Sequence, residues 1–156
     1  MRFGFFGLLI LCGCAFPPQQ EGPEPAFERL EMQLYDLVNQ YRRAQGLPRL
    51  HYNRHLADVA RRHSQAMADG ATAFGHDGYD DRVQMVRRQF RTLRALGENL
   101  ARNNWDAPQS AYYVYLGWVA SRSHRDTIEG MFEVTGVGVA QDSHGVFYYT
   151  QLYLAE

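Results

Sequence analysis

The order of the hydrophobic patterns is the feature that most restricts the fold of this chain. Residues 26–120 contain segments whose apolar side chains recur every three or four positions, which predicts amphipathic helices. The C-terminal part instead contains FEVTGVGVAQ and VFYYTQLYLA, two β-rich runs around a Ser-His-Gly turn, which predict a hairpin. Helices followed by strands are typical of an α+β domain built in layers.

Start and stop signals predict four helices, with these approximate bounds: 26–45, 53–69, 80–93 and 107–120. Asn53 is a predicted N-cap, and Asp80 or Asp81 is the predicted cap of the third helix. The LPRLHYN stretch predicts a short extended piece, and residues 121–132 predict a loop with one short helical turn.

The N-terminal residues predict an export signal. Arg2 precedes an apolar run, residues 3–11, that is too short for a membrane span of about 20 residues but suits a signal peptide. The sequence LCGC at its end resembles a bacterial lipobox. The resemblance implies a signal peptide of residues 1–13, cut before Cys14, and acylation of the Cys14 thiol. The alternatives are an ordinary cleaved signal peptide or an uncleaved anchor.

The segment after Cys14 predicts a flexible tether. Residues 14–25 are rich in Pro, Gln, Glu and Gly, and residues 26–156 form the predicted domain. Ala15 is not the acidic residue that retains lipoproteins at the inner membrane, so we expect an envelope location, at the outer membrane facing the periplasm in a Gram-negative cell.

Two composition counts exclude classes of function. Both cysteines lie within residues 1–14, so the predicted domain contains no disulfide or thiolate site and depends on its core. The net charge of −1 gives no electrostatic indication of nucleic-acid binding, and we predict none. The sequence leaves the oligomeric state open.

Three titratable residues stand on three predicted connectors. They are His76 in FGHDG, Glu98 in GENLA and His124 in SRSHRD. Irregular segments are where functional side chains collect. Two imidazoles and one carboxylate could bind a divalent ion with an open water position, or could perform acid–base chemistry.

The other histidines have simpler interpretations. His51 and His55 straddle the predicted start of a helix, which disfavours a helical metal pair. His63 is predicted to be a packed, hydrogen-bonded core residue, and His144 an exposed turn residue. Neither an HExxH nor a GxSxG motif is present.

Six motifs in order resemble those of the CAP superfamily, the cysteine-rich secretory, antigen 5 and pathogenesis-related group with its SCP-like domain. The resemblance is to the short bacterial form and covers residues 30–154. The motifs are LVNQYRRAQGLPRLHYNRHLADVARRHSQAMA, FGHDGYDDRV, GENLA, WVASRSHRDTI, VTGVGVA and FYYTQLYLA. The resemblance implies a three-layer α-β-α sandwich with a small antiparallel sheet.

The resemblance also implies a cavity lined in many members by two histidines and two glutamates. Carried over, His76 and His124 are the histidines and tentative metal ligands, for an ion such as zinc, and Glu98 is the first glutamate. The second would stand three residues after Trp118, where this chain has Ser121. The four-residue set is therefore incomplete.

Three functions remain open at this point. The first is an envelope-tethered domain whose cleft binds a small apolar or cell-wall ligand, with or without a divalent metal. The second is a metal-assisted hydrolase of peptides or cell wall, with Glu98 as general base. The third is a structural polar network. The missing second glutamate and the lack of a recognisable nucleophile favour binding over catalysis.

Two further segments have a structural and a functional interpretation. The arginines of DDRVQMVRRQFRTLR predict a solvated helix face, with contact to anionic lipid as the alternative; they are Arg82, Arg87, Arg88, Arg91 and Arg94. Within AYYVYLGW, Tyr112, Tyr115 and Trp118 are predicted to share a core stripe. The alternative is a hydrophobic ligand groove lined by these three residues and Tyr113.

Overall fold

The computed structural model describes residues 26–156. The predicted signal peptide, the lipidation site Cys14 and the tether lie outside the described residues. The elements follow in the order α1 Ala26–Ala44, β1 His51–Tyr52, α2 Arg54–Ala68, α3 Tyr79–Arg87, β2 Ala95–Asn103, α4 Ala107–Ala120, α5 Arg122–Glu129, β3 Val134–Gln141 and β4 Phe147–Ala155. Within this part of the chain no helix has the length and apolar character that crossing a membrane requires.

The predicted first, second and fourth helices are confirmed as α1, α2 and α4. Asn53 caps α2, where its side-chain oxygen accepts a hydrogen bond from the Leu56 N–H at 3.1 Å. The third helix was predicted too long. It begins after Gly78, whose φ of 73° lies in the left-handed region that favours glycine. It ends at Arg87 because Phe90 and Leu93 turn inward onto the core.

Four strands form one sheet in the order β1-β3-β4-β2. The predicted hairpin is confirmed as β3 and β4, and β4 also pairs antiparallel with β2, so that Glu98 lies opposite Leu152. The short β1 joins β3 in parallel. The α+β class and the layered fold are therefore as predicted.

The prediction that Glu98 and His124 stand on connectors is wrong. Glu98 lies in the middle of the edge strand β2, and His124 lies in the first turn of α5. The β2 sequence ALGENLARN contains no β-branched residue, so its local propensity for a strand is low. Pairing with β4, about fifty residues later, determines its conformation.

The sheet separates two layers of helices. Alternate residues of β4, including Tyr149 and Tyr153, pack with α1, α4 and α5, whereas Leu152 and Leu154 pack with α2 and α3. Helix α2 lies directly on the β3 backbone, because a Cβ atom on Gly136 would stand only 2.2 Å from the Ala57 nitrogen. This close approach explains the glycines of VTGVGVA.

Helix α4 buries one stripe and exposes the rest. Trp118 is buried, and Tyr115 packs against the core. Tyr112 was predicted on the same stripe, which is wrong, because its side chain is 45% exposed. The buried apolar positions are instead Ala111, Val114 and Trp118, at spacings of three and four residues, with Ser110 buried beside them.

Candidate functional site

Glu98 points from β2 toward the layer of α2 and α3. It lies opposite Leu152, whose side chain packs in that layer. The Glu98 side chain is only 1% exposed, so its carboxylate has lost nearly all contact with water. A buried carboxylate requires partners, since burying an unpaired charge costs far more than a typical folding contact provides.

Arg82 of α3 is the main partner of Glu98. Its Nε donates to Glu98 Oε2 at 2.6 Å, and its Nη2 donates to Oε1 at 2.7 Å, which is a bidentate pair. The other guanidinium hydrogens point to the carbonyl oxygens of Asp77 at 2.9 Å and His76 at 3.3 Å, and to the ring of His63 at 3.1 Å. All five donors of Arg82 therefore have acceptors within residues 26–156.

His63 is held as a neutral ring in the same network. Arginine can only donate, so His63 Nδ1 accepts from Arg82, and His63 Nε2 donates to the Gly75 carbonyl at 2.9 Å. Burial lowers the pKa of His63, and the Arg82 charge lowers it further. The sequence had predicted a packed, hydrogen-bonded histidine here, and the structure places one.

His76 is the exposed member of the network. Its Nδ1 lies 2.8 Å from Glu98 Oε1, while its side chain is 60% exposed. Since the carboxylate accepts, Nδ1 carries the hydrogen. The structure thus brings two of the predicted site residues, His76 and Glu98, into direct contact.

The next residue of β2, Asn99, points to the opposite layer. Its Nδ2 donates to the backbone oxygen of His124 at 3.0 Å and reaches the Tyr153 hydroxyl at 3.5 Å. Asn99 therefore ties α5 to the sheet. His124 is the third predicted site residue, and within residues 26–156 no hydrogen bond joins its ring to Glu98 or His76.

The His124 ring leaves one polar atom unpaired. The ring stacks on Trp118 with centroids 6.3 Å apart. Its Nδ1 is buried and has no hydrogen-bond partner among residues 26–156. Burial lowers the pKa of His124, and the nearby His76 lowers it further. Both effects favour the neutral ring.

A groove of about 320 Å³ opens beside His124 along the free edge of β2, between α4 and the Phe74 segment that follows α2. Its lining is mainly apolar and aromatic and includes Phe74, Leu100, Tyr113, Val114, Trp118 and His124. Trp118 Nε1 donates to the Leu100 carbonyl at 3.0 Å, which fixes one wall of the groove to the edge strand. We call this cavity the β2 groove. Apolar clefts with a few polar groups are the usual form of small-molecule sites.

The residues present do not fit a divalent metal. Arg82 places a fixed positive charge on both oxygens of Glu98, and Ser121 stands where the second carboxylate would be. Within residues 26–156, no three His, Cys, Asp or Glu side chains are grouped so that they could hold an ion. A cation at His76 would have to displace Arg82 from Glu98 or bind with fewer protein ligands than zinc sites use.

Sequence reasoning missed the most connected residue of the site. Arg82 was assigned to a solvated helix face, which is wrong, because it is only 5% exposed. One signal was present. Arg82 lies four and eight residues before Val86 and Phe90, so it shares the inward stripe of its helix with them.

Comparison with known proteins gives a consistent result. The model of the cysteine-rich secretory protein (CAP) family matches residues 35–153. An uncharacterized membrane protein of Bacillus subtilis, YlbC, is 31% identical over 129 residues, which are 80% of this chain and 34% of YlbC. The chain thus spans about a third of that relative.

Two solved structures share the fold. An extracellular SCP-domain protein of Bacillus anthracis is 30% identical, with a TM-score of 0.69, over 83% of this chain and 41% of that protein. An outer surface protein of Borrelia burgdorferi is 16% identical, with a TM-score of 0.66, over 80% of this chain and 91% of that protein. At this identity the second match concerns the fold alone.

Proposed function

Since the chain belongs to the cysteine-rich secretory protein (CAP) family, whose model matches residues 35–153, we propose that it is a binding domain of the cell envelope and that a small apolar ligand occupies its β2 groove. The observation that carries this proposal is a contrast between two sites on β2. The Glu98 carboxylate is held by Arg82 and His76 and buried, whereas the apolar groove along the free edge of β2 is open.

The engagement of Glu98 argues against catalysis by this residue. A general base needs a free lone pair within reach of the proton that it removes. Three of the roughly four acceptor positions of the Glu98 carboxylate are occupied, two by Arg82 and one by His76. The remaining lone pair on Oε2 is out of reach of a substrate, because the side chain is only 1% exposed. These contacts support the third interpretation of the sequence, a structural network around Glu98, and make the metal-assisted hydrolase the weaker candidate.

The lining of the groove indicates the class of ligand. Leu100, Val114 and Trp118 provide buried apolar surface, and Phe74 and Tyr113 stand partly exposed at its sides. A ligand that covers this surface gains roughly 25 cal/mol for each Å² of apolar area removed from water. An apolar molecule uses the groove better than a charged one, and a cell-wall fragment is the second ligand to test.

The envelope location rests on the leader and on the relatives. The leader predicts export and acylation of Cys14. YlbC is described as a membrane protein, and the B. anthracis relative as extracellular. These descriptions concern domains of longer proteins, so they support a location outside the cytoplasm and no particular activity.

Gly117→Leu tests the groove directly. Gly117 lines the groove, and a Cβ atom there would have no neighbour within 4 Å, so a leucine side chain can enter the groove without a clash at its base. We expect residues 26–156 carrying Gly117→Leu to fold normally and to lose affinity for a fluorescent fatty-acid analogue. Ala120→Leu, on the same helix but outside the groove, is the matched control.

The same titrations distinguish the other candidates. Equal affinity of the wild type and Gly117→Leu would place the ligand elsewhere and overturn the proposal. A soluble peptidoglycan disaccharide-peptide that binds in place of the fatty acid would redefine the ligand. Cleavage of that fragment by the wild type, abolished in a folded Glu98→Gln variant, would restore the hydrolase.

A further inference from the structure

An uncharged aromatic surface lies on the outside of α4. The helix sequence APQSAYYVYLGWVA contains no charged residue, although three of its large side chains are exposed: Tyr112, Tyr113 and Leu116. Trp105, just before the helix, is 48% exposed and stacks on Tyr113 with ring centroids 4.1 Å apart. We call these four residues the aromatic face. Contiguous exposed apolar surface of this kind usually marks an interaction site.

The chain enters the domain beside this face. Phe27, at the start of α1, lines the same cavity of about 310 Å³ as Trp105 and Ala107. Further along, Gln33 Nε2 donates to the Pro108 carbonyl at 3.4 Å, and Tyr41 packs on Tyr115. Helices α1 and α4 thus run side by side with their N-terminal ends together. Residues 1–25 therefore join the domain at the aromatic face.

We propose that the aromatic face docks on the lipid–water interface of the membrane that holds Cys14. The proposal rests on the envelope location and the Cys14 anchor proposed above. Residues 15–25 span at most about 40 Å even when fully extended, so an anchored domain stays within reach of the bilayer. Tryptophan and tyrosine favour the interface, because their rings are apolar and their N–H and O–H groups remain hydrated.

The arginine-rich helix α3 is the alternative membrane-binding surface, but it lies on the opposite side of the domain from the aromatic face. Helix α3 packs on α2, in the layer on the other side of the sheet from α4. Arg87 and Arg88 are exposed there. Two opposite sides of one layered domain cannot rest on one bilayer together. The position of the chain entry, on the α4 side, selects the aromatic face.

Docking in this way also orients the β2 groove. Trp105 and Tyr113 belong both to the aromatic face and to the lining of the groove. The mouth of the groove then opens at the lipid surface, where an apolar ligand is most concentrated. Loss of groove binding and loss of docking remain separable, because Gly117 lies in the groove and not on the aromatic face.

The test uses the lipidated full chain in vesicles of phosphatidylethanolamine and phosphatidylglycerol that contain lipid brominated near the headgroup end of the acyl chains. The chain has two tryptophans, and Trp118 is buried, so the difference between wild type and Trp105→Phe reports Trp105 alone. We expect a blue shift and strong quenching of this difference emission. Lipid brominated near the chain terminus should quench it much less.

Matched variants identify the surface. The double change Tyr112→Ser with Leu116→Ser should reduce quenching of Trp105, whereas Arg87→Ser with Arg88→Ser and the groove variant Gly117→Leu should leave it unchanged. Loss of quenching in the arginine variant would overturn the proposal in favour of the α3 surface. If Trp105 is not quenched in chains that still float with vesicles, the docking proposal is overturned but the lipid anchor is not. The same conclusion holds if cross-linking shows that a second copy of the chain covers the aromatic face. A chain that does not float with vesicles would refute the anchor and the docking with it.

Discussion

Glu98 and Asn99 are neighbours in β2 but point to opposite sides of the sheet, and different interactions stabilise the two sides. On the Glu98 side, a buried ion pair uses all five arginine donors and leaves little for a ligand to bind. On the Asn99 side, the contacts are single neutral hydrogen bonds, and the ring of His124 keeps one nitrogen without a partner among residues 26–156. The same ring lines the apolar groove that runs along the free edge of β2.

The difference shows that residues of a family motif can hold elements of the fold together. The GENLA glutamate remains in place, but here it fixes α3 and the His76 loop to the sheet. Motif residues thus identify the fold more securely than the chemistry. The groove is lined by residues of two motifs, Leu100 of GENLA and Trp118 and His124 of WVASRSHRDTI, and it offers space for a ligand.

The largest effect should come from Arg82→Met. Removing the guanidinium leaves the Glu98 carboxylate, 1% exposed, without its charged partner. We expect the free energy of unfolding to fall by about 3–5 kcal/mol. Urea denaturation at neutral pH measures it. The exposed Arg87→Met, on the same helix, should change stability by no more than about 0.5 kcal/mol.

A double variant separates the pair from its parts. Arg82→Met with Glu98→Leu removes both charges, so it should be more stable than Arg82→Met alone. If the free energy of unfolding of the double variant falls by the sum of the losses measured for Arg82→Met and Glu98→Leu separately, the two residues act independently. The contacts around Glu98 would then not form a coupled network.

The helices could be predicted from sequence because their signals are local. Asn53 and the apolar spacing that follows determine α2 within a few residues of chain. Strand β2 could not be predicted in this way, since ALGENLARN has no strand pattern of its own and is defined by pairing with β4. Similarly, α5 depends on packing of Ile128 and on Asn99 bonding to His124.

The site was only partly predictable for a related reason. His76 and Glu98 were selected as titratable residues of predicted connectors and then through the resemblance, and they do meet. Arg82 was missed because an arginine among other arginines has the pattern of a solvated surface. Its burial follows from Glu98, sixteen residues later, and no local pattern encodes that partnership. The orientation of neighbouring β2 residues to opposite faces also required the strand to be known.

Beside the β2 groove, Trp118→Phe should have the next largest effect on stability. The change removes the donor to the Leu100 carbonyl and leaves a small cavity under the groove. We expect a loss of about 2 kcal/mol in the free energy of unfolding. Trp105→Phe, on the exposed surface, is the control. A loss for Trp118→Phe as small as that of the control would mean that the groove wall does not depend on this bond.

The pH dependence should involve both sides of the sheet. Burial lowers the pKa of His63 and of His124 below the ordinary value, so below about pH 6.5 the unfolded chain binds more protons than the folded one. Stability from these rings is complete above about pH 6.5 and is lost as the pH falls from there through their folded pKa values.

Urea titrations across that range test the assignment. His63→Gln and His124→Gln should each make the decline in stability between neutral and mildly acidic pH less steep, and the double variant should do so most. A decline that is as steep in the double variant as in the wild type would assign the pH dependence to other groups.

The smallest predicted effect is a gain in stability. Gly117 lies inside α4, and a Cβ atom there would meet nothing within 4 Å. Gly117→Ala should therefore raise the free energy of unfolding by about 0.5–1 kcal/mol, because glycine loses more backbone entropy in a helix than alanine does. Thermal and urea unfolding measure the gain. The result bears directly on the comparison, since a methyl group is tolerated only if the groove has free space. A loss of stability would show that the groove beside Gly117 is already filled.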